Sequence, residues 1–162
     1  MNKNSPQYEA QVFLNAFTTN RKINCEFYER VSEDDFDFRI TERSDSVRES
    51  LAHQINVEKA YLAAIVTGEL IFRKSYDESL KHADKEFLLF RLDSLDKELA
   101  QLLSDEATYT KQAKTPWAPE GMPVPEMLWG LNNHEILHTG WNLAVMDHLG
   151  IERFPSLKKM WG

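Results

Sequence analysis

The sequence predicts an all-α protein, a four-helix bundle with one long crossover connection before the last helix. Four segments carry apolar residues at three-to-four spacing, which is the period of a helix packed on one face. One of these segments begins with a capping signal, and two are followed by a glycine suited to a helix end. Since there is no internal repeat and no Ser/Gly-rich linker, we expect residues 1–162 to form a single domain.

The first helix is predicted from about Gln7 to Val31, with Pro6 suited to its first turn. The segment from Ser32 to Asp45 interrupts the helical period. In it, apolar residues alternate with polar ones from Phe36 to Ile40, so a short extended stretch is possible. We expect the aromatic residues of this loop to cover one end of the core.

The second and third helices follow. Ser46 and Glu49 have the spacing of a capping box, and Gly68 suits the left-handed position after a helix that ends at Thr67. A connection leads to the third helix, predicted from about Asp77 to Leu103, whose leucines form a heptad-like seam.

A proline-rich segment, Thr108 to Pro125, cannot form a regular helix and has the length of a functional or lid-like crossing. The fourth helix is predicted to start near Pro125 or Glu126 and to end before Gly150. We expect the apolar residues of the tail to dock on the bundle, and we expect no β-sheet.

The composition of the chain argues against several classes of function. The net charge of −7, with no clustered basic stripe, argues against nucleic acid and anionic membrane surfaces as partners. The single cysteine, Cys25, excludes an intrachain disulfide. No apolar run approaches the length of a membrane span, and no signal-peptide pattern begins the chain. These features predict a cytoplasmic protein.

The strongest functional signal is a pair of histidines, His134 and His138, four residues apart on the predicted fourth helix. Side chains at this spacing share a face, so two imidazoles can converge on one metal ion. His53, beside an apolar face of the second helix, is the best third ligand. His82 lies among charged residues and His148 in the last helical turn, where a solvated or dipole-stabilised role suffices. The alternatives are a hydrogen-bonded His53 at the core edge and a chance pairing on the fourth helix.

The segment from His134 to His138 also matches the H-E-x-x-H metallopeptidase pattern, with Glu135 as general base. Trp141 stands where the extended pattern needs glycine, and no strand is available to bind a peptide. We therefore rank this hypothesis last. A di-iron site is disfavoured by spacing, and Glu58 is expected to be a surface charge.

The chain resembles the DinB-like (DinB/YfiT-like) family of four-helix-bundle metalloenzymes over nearly its whole length. The resemblance is carried by the segments Ser46–His53 and Asn133–Gly140 and by Leu149-Gly150. It implies that His53, His134 and His138 form a three-histidine site for a divalent metal such as nickel or zinc, and that the protein is a homodimer. Characterised relatives include thiol transferases and isomerases that use low-molecular-weight thiols such as bacillithiol or mycothiol.

One departure from the family pattern concerns the substrate. Thr139-Gly140-Trp141 stands where members often have Arg-Gly-Gln. The leading hypothesis is a metal-dependent enzyme acting on a small molecule, as a thiol S-transferase or a hydrolase. The alternative is a non-catalytic dimeric module that binds a metal or ligand. No catalytic residue beyond the metal ligands is identified.

Overall fold

Four long helices form the frame of the protein in the computed structural model, which describes residues 5–161. They are α1 (Pro6–Arg30), α2 (Val47–Thr67), α3 (Lys85–Leu102) and α4 (Val124–Leu149). Helix α1 packs on α4, and α2 packs on both α3 and α4. The predicted four-helix bundle is confirmed. Within the described residues, no helix combines the length and apolar character that crossing a membrane requires.

Helix α2, which carries the first histidine of interest, has the predicted ends. The Ser46 hydroxyl accepts a hydrogen bond from the Glu49 amide at 3.2 Å, and the Glu49 carboxylate accepts one from the Ser46 amide at 2.8 Å. Gly68 follows the last turn with φ of +78°, a conformation that costs glycine little. Local capping chemistry therefore defines both ends of this helix.

Helix α3 begins later than predicted. The segment Glu78–His82 forms a separate 3-10 helix, and the α-helix starts after Asp84. The Asp84 carboxylate accepts a hydrogen bond from the Phe87 amide at 2.7 Å, which makes Asp84 the N-cap. The expected start at Asp77 was therefore wrong.

The reason for the later start is local. Asp77 caps the short 3-10 helix instead, because its carboxylate accepts a hydrogen bond from the Ser79 amide at 3.1 Å. Asn56 of α2 also fixes the position of Asp77, since its side-chain oxygen accepts a hydrogen bond from the Asp77 amide at 2.8 Å. Two aspartate caps follow each other here, and the sequence pattern did not distinguish which of them begins the α-helix.

The proline-rich crossing contains a β-hairpin, which the sequence analysis did not predict. Strands β1 (Gln112–Thr115) and β2 (Ala118–Pro123) pair in an antiparallel ladder. The outer edge of β1 also pairs with the chain after α2, where the Lys114 amide donates to the Gly68 carbonyl at 2.9 Å. Four residues are too few for a clear alternation of apolar and polar side chains, and prolines are tolerated in an edge strand. The expectation of no sheet was therefore wrong for this segment.

The loop after α1 and the C-terminal tail close the two remaining sides of the core. The loop forms turns rather than an extended segment, and Phe36 in it is fully buried, as expected. The tail forms a short helix, α5 (Pro155–Trp161), and docks through the buried Phe154 and Leu157. Docking of the tail was predicted, whereas its helical form was not.

A buried arginine side chain connects all four long helices. The Arg21 guanidinium of α1 lies 2.5 Å from a Glu58 oxygen of α2, 3.1 Å from Asp96 of α3 and 3.2 Å from Glu135 of α4. The expected surface position of Glu58 was wrong, because its side chain is fully buried and paired with Arg21. This pairing joins residues distant in sequence, so the spacing of apolar residues does not predict it.

Three carboxyl groups surround this one guanidinium, and burial changes their protonation. Burial raises the pKa of Glu58 well above its ordinary value, although the charge of Arg21 opposes the change. Burial raises the pKa of Asp96 as well, and the Glu58 and Asp96 carboxyl groups share a hydrogen bond. One of these two groups therefore holds the proton that this hydrogen bond requires, which lowers the negative charge left in the core.

We expect Arg21→Met to lower the free energy of unfolding by about 3–5 kcal/mol, because it removes the cation and leaves buried carboxyl groups unpaired. Lys22→Met is the matched control, since Lys22 is the exposed neighbour on the same helix and its replacement should change stability by less than about 0.5 kcal/mol. Urea unfolding followed by circular dichroism measures both values. Equal stability of the two variants would contradict the role assigned to Arg21.

Candidate metal centre

Three histidine side chains converge where α2 meets α4. The Nε2 atoms of His53 and His134 are 3.0 Å apart, and those of His134 and His138 are 3.2 Å apart. One ring nitrogen from each of the three residues lies within 4.8 Å of the others. The structure thus brings together the three residues that were predicted as metal ligands.

The two helices place these rings by different means. His134 and His138 are one turn apart on α4, so their positions relative to each other are set within one helix. His53 lies in the second turn of α2 and reaches the pair because α2 packs on α4. The third donor therefore depends on tertiary packing.

The spacing of the donors fits a small divalent ion. Zinc binds imidazole nitrogen at about 2.0–2.1 Å, which separates two ligands of a tetrahedral site by about 3.3 Å. The observed separations of 3.0 and 3.2 Å are close to this value. Three neutral imidazoles whose nitrogens face one another cannot all satisfy each other by hydrogen bonding, and a shared cation resolves this. The residues present therefore fit a metal ion.

Burial keeps these imidazoles in the neutral form that binds metals. Burial and the neighbouring histidines lower the pKa of His138 to about 2, and burial and His53 lower the pKa of His134 to about 4. Burial lowers the pKa of His53 too, although the charge of Asp45 acts in the opposite direction. All three pKa values shift away from protonation, so the nitrogens have free lone pairs near neutral pH.

Ser50 orients the His138 ring through Nδ1, the ring nitrogen that faces away from the other histidines. The Ser50 hydroxyl lies 2.9 Å from His138 Nδ1 and 3.2 Å from the Tyr28 hydroxyl. When His138 Nε2 is a ligand, Nδ1 carries the hydrogen and donates it to Ser50, an arrangement that fixes the tautomer of a metal-binding histidine. Ser50 was not among the site residues predicted from the sequence. Its position three residues before His53, on the same helix face, was the available signal.

The hydrogen bonds continue from Ser50 into the core. Gln54 donates through its side-chain nitrogen to the Tyr28 hydroxyl, and its side-chain oxygen accepts from Arg21 at 3.4 Å. The ring of His138 is therefore connected, through buried side chains of α1 and α2, to the cation that joins the four helices.

Glu135 does not face the histidines. Its side chain is fully buried, accepts a hydrogen bond from Asn24 at 2.9 Å and lies 3.2 Å from Arg21. Helix geometry places it on the core side of α4, away from His134 and His138. A general base must reach the substrate, so this position argues against the metallopeptidase hypothesis.

The other two described histidines lie outside the site. His82 is exposed, and His148 is exposed with its Nδ1 2.8 Å from the Ala144 carbonyl oxygen. The positions of both residues agree with the structural roles expected for them. They provide natural controls for experiments on the three converging histidines.

Two cavities flank the histidines. The aromatic cavity, of about 600 Å³, has walls that include Tyr61, Phe72 and Trp117. The outer cavity, of about 400 Å³, includes Asp45 and Trp141. His53, His134 and Leu137 line both cavities. The three-histidine cluster therefore lies between an apolar chamber and a more polar opening, and Trp141 forms part of the wall of that opening.

Two of the solved structures that share this fold are proteins from Bacillus subtilis. YjoA, a DinB-like protein from Bacillus subtilis, matches with a TM-score of 0.70 and 18% identity over 88% of this chain and 95% of that chain. YfiT from Bacillus subtilis, described as a probable metal-dependent hydrolase with an unusual four-helix bundle topology, matches with a TM-score of 0.67 and 14% identity over 94% of this chain and 91% of that chain. At these identities the likeness establishes a common fold.

Among curated proteins, none matches the chain at a significant level. A family model does match, and it spans residues 1–157. Since this is nearly the whole chain, the protein belongs to the DinB family.

Proposed function

We propose that this protein is a metal-dependent enzyme that holds a divalent ion, nickel or zinc, with His53, His134 and His138 and acts on a small molecule. The observation that carries the proposal is the convergence of three neutral imidazoles beside an apolar cavity of about 600 Å³. Ligand cavities of enzymes commonly have this size and apolar character.

Three protein ligands suit catalysis better than a purely structural role. Structural zinc sites usually have four protein ligands, whereas catalytic sites have three and keep a position for water or substrate. Within the described residues, no fourth metal-binding side chain joins the cluster. A bound ion would supply Lewis acidity and lower the pKa of a coordinated water or thiol.

The chain's own residues have distinct parts in this proposal. Ser50 holds the orientation of His138, and the walls of the aromatic cavity give one side of the histidines apolar surroundings. Asp45, on the outer cavity, offers a carboxylate that can accept a proton from an attacking water or thiol.

The attacking group is either water or a low-molecular-weight thiol. The description of YfiT as a probable metal-dependent hydrolase supports water. Family resemblance supports thiol transfer, but this chain has Thr139-Gly140-Trp141 where the family often has Arg-Gly-Gln. We place hydrolysis first for this reason, with thiol S-transfer as the second candidate. Homodimerisation remains a prediction from the same resemblance.

A non-catalytic metal- or ligand-binding module is the alternative. Such a module would bind the ion without turnover and would not exchange small anions or thiols at it. Ester hydrolysis and thiol-transfer assays with the metal-loaded protein, each repeated with His138→Ala, distinguish the two. Turnover that disappears in the variant supports an enzyme, and absence of turnover in both assays supports the module.

We expect the protein purified without a histidine tag to hold about one divalent ion per chain after nickel or zinc is offered, and His53→Ala to lose it, because two imidazoles remain. His82→Ala should keep the ion, since His82 is exposed and outside the cluster. Elemental analysis measures the stoichiometry, and circular dichroism checks the fold. Equal metal content in both variants would contradict the assignment.

We expect Ser50→Ala to weaken metal binding by about 10–100-fold, because the variant removes the hydrogen-bond partner of His138 Nδ1. Ser94→Ala is the matched control, since the Ser94 hydroxyl donates only to the Phe90 carbonyl of its own helix at 2.8 Å. Competition with a chromophoric chelator gives both affinities. Unchanged affinity in Ser50→Ala would show that Ser50 does not position the ligand.

A further inference from the structure

The aromatic cavity contains a buried tyrosine, Tyr61, that is not part of the three-histidine cluster. The Tyr61 side chain is only 3% exposed, and its ring meets that of Phe72 edge-on with centroids 6.1 Å apart. Among the side chains and backbone groups that the structure describes, none forms a hydrogen bond with its hydroxyl. A buried tyrosine usually has a hydrogen-bond partner, and because Tyr61 lines the cavity, a ligand there can supply one.

Gly130 of α4 makes room for that hydroxyl. A Cβ atom at position 130 would lie 2.5 Å from the Tyr61 hydroxyl oxygen and 3.5 Å from the Trp117 ring. The first distance is shorter than two such atoms can approach, so any other residue here would displace Tyr61. Glycine in a helix interior costs stability relative to alanine, and the space it leaves belongs to the cavity wall.

The distance between Tyr61 and the histidines indicates the size of a ligand that could reach both. Gly130 precedes His134 by one helical turn, about 6 Å along the axis of α4. A group that meets the Tyr61 hydroxyl is therefore about one turn away from the nearest metal-binding candidate on α4. Rings of Tyr61, Phe72 and Trp117 line the intervening space.

Other polar groups on the wall are already engaged or lie at its edge. Asn56 forms two hydrogen bonds with the backbone of Asp77, at 2.8 and 3.3 Å, and so holds the segment that covers the cavity. Arg73 and Asn133 are exposed. Of the two tyrosines on the wall, Tyr76 is 42% exposed and Tyr61 is 3% exposed, so Tyr61 offers the buried hydroxyl that a ligand inside the cavity would meet.

We propose that the aromatic cavity binds an aromatic ring of the substrate and that Tyr61 donates a hydrogen bond to a carbonyl or similar acceptor attached to that ring. This inference rests on the proposed function, because it names the substrate class of the same site. Burial raises the pKa of Tyr61 to about 12, so the hydroxyl keeps its proton and acts as a donor. Tyr61 and Gly130 are then residues that determine specificity.

The test uses two ligands of nearly equal shape, 2-acetylnaphthalene and 2-ethylnaphthalene, which differ in one carbonyl group. Binding is measured by fluorescence titration with the full chain, both after treatment with a chelator and after loading with zinc. Because the chelator-treated protein is included, the result does not depend on whether the histidines hold a metal.

We expect both ligands to bind at one saturable site. Tyr61→Phe should weaken 2-acetylnaphthalene by about five- to tenfold, the value of one hydrogen bond, and leave 2-ethylnaphthalene unchanged. Gly130→Ala should weaken both ligands, because the displaced Tyr61 ring enters the cavity. Gly140→Ala on the same helix is the control, since a Cβ atom there meets nothing within 4 Å.

Three results would overturn the proposal. The first is the absence of saturable binding in both forms of the protein, and the second is equal binding by Gly130→Ala and Gly140→Ala. The third is a dimer, detected by light scattering, that Trp117→Asp dissociates while neither ligand binds, which would identify this face as a contact between two copies. If the protein has normal metal content but binds neither ligand, only this inference is rejected. If it binds the ligands but holds no metal, only the metal site is rejected.

Discussion

The buried guanidinium of Arg21 is the interaction on which the rest of the structure depends. It belongs to α1 and meets one carboxyl group from each of the other long helices, namely Glu58, Asp96 and Glu135. An uncompensated charge in this position would be costly, so arrangements of the four helices that separate Arg21 from these partners are disfavoured. Hydrophobic packing supplies most of the favourable free energy of folding, and this cluster selects among the arrangements that packing permits.

The candidate metal centre is built on this framework. Gln54 and Tyr28 carry hydrogen bonds from Arg21 to Ser50, and Ser50 meets the imidazole of His138. A metal ligand must be held with little freedom to give a defined site, and side chains that are themselves buried and hydrogen-bonded provide that restraint. Glu135 shows that the metal-binding side chains and the side chains of the core cluster lie on different faces of α4. It lies between two histidines in sequence, yet it belongs to the core cluster, because successive residues of a helix face different directions.

The two cavities give the histidines unlike surroundings. Aromatic rings bound one side, and the carboxylate of Asp45 faces the other. The proline-rich crossing contributes Trp117 to the aromatic side, so the segment that departs most from regular helix also shapes the proposed binding chamber. Gly130 also shapes this chamber, because it has no side chain at the point where Tyr61 approaches α4. An apolar wall on one side and a polar opening on the other would orient a substrate that has both kinds of surface.

The sequence by itself determined the features that depend on neighbouring residues. The ends of α2 follow from Ser46, Glu49 and Gly68, and the pairing of His134 with His138 follows from helical spacing, because both are set within one or two turns. The position of His53 beside an apolar face made it the best candidate for the third ligand, and the family resemblance implied the same residue. Tertiary structure alone decided the burial of Glu58, the hairpin at residues 112–123 and the meeting of Tyr61 with Gly130. Each of these requires contact between segments far apart in the chain, and the local periodicity of apolar residues contains no information about such contacts.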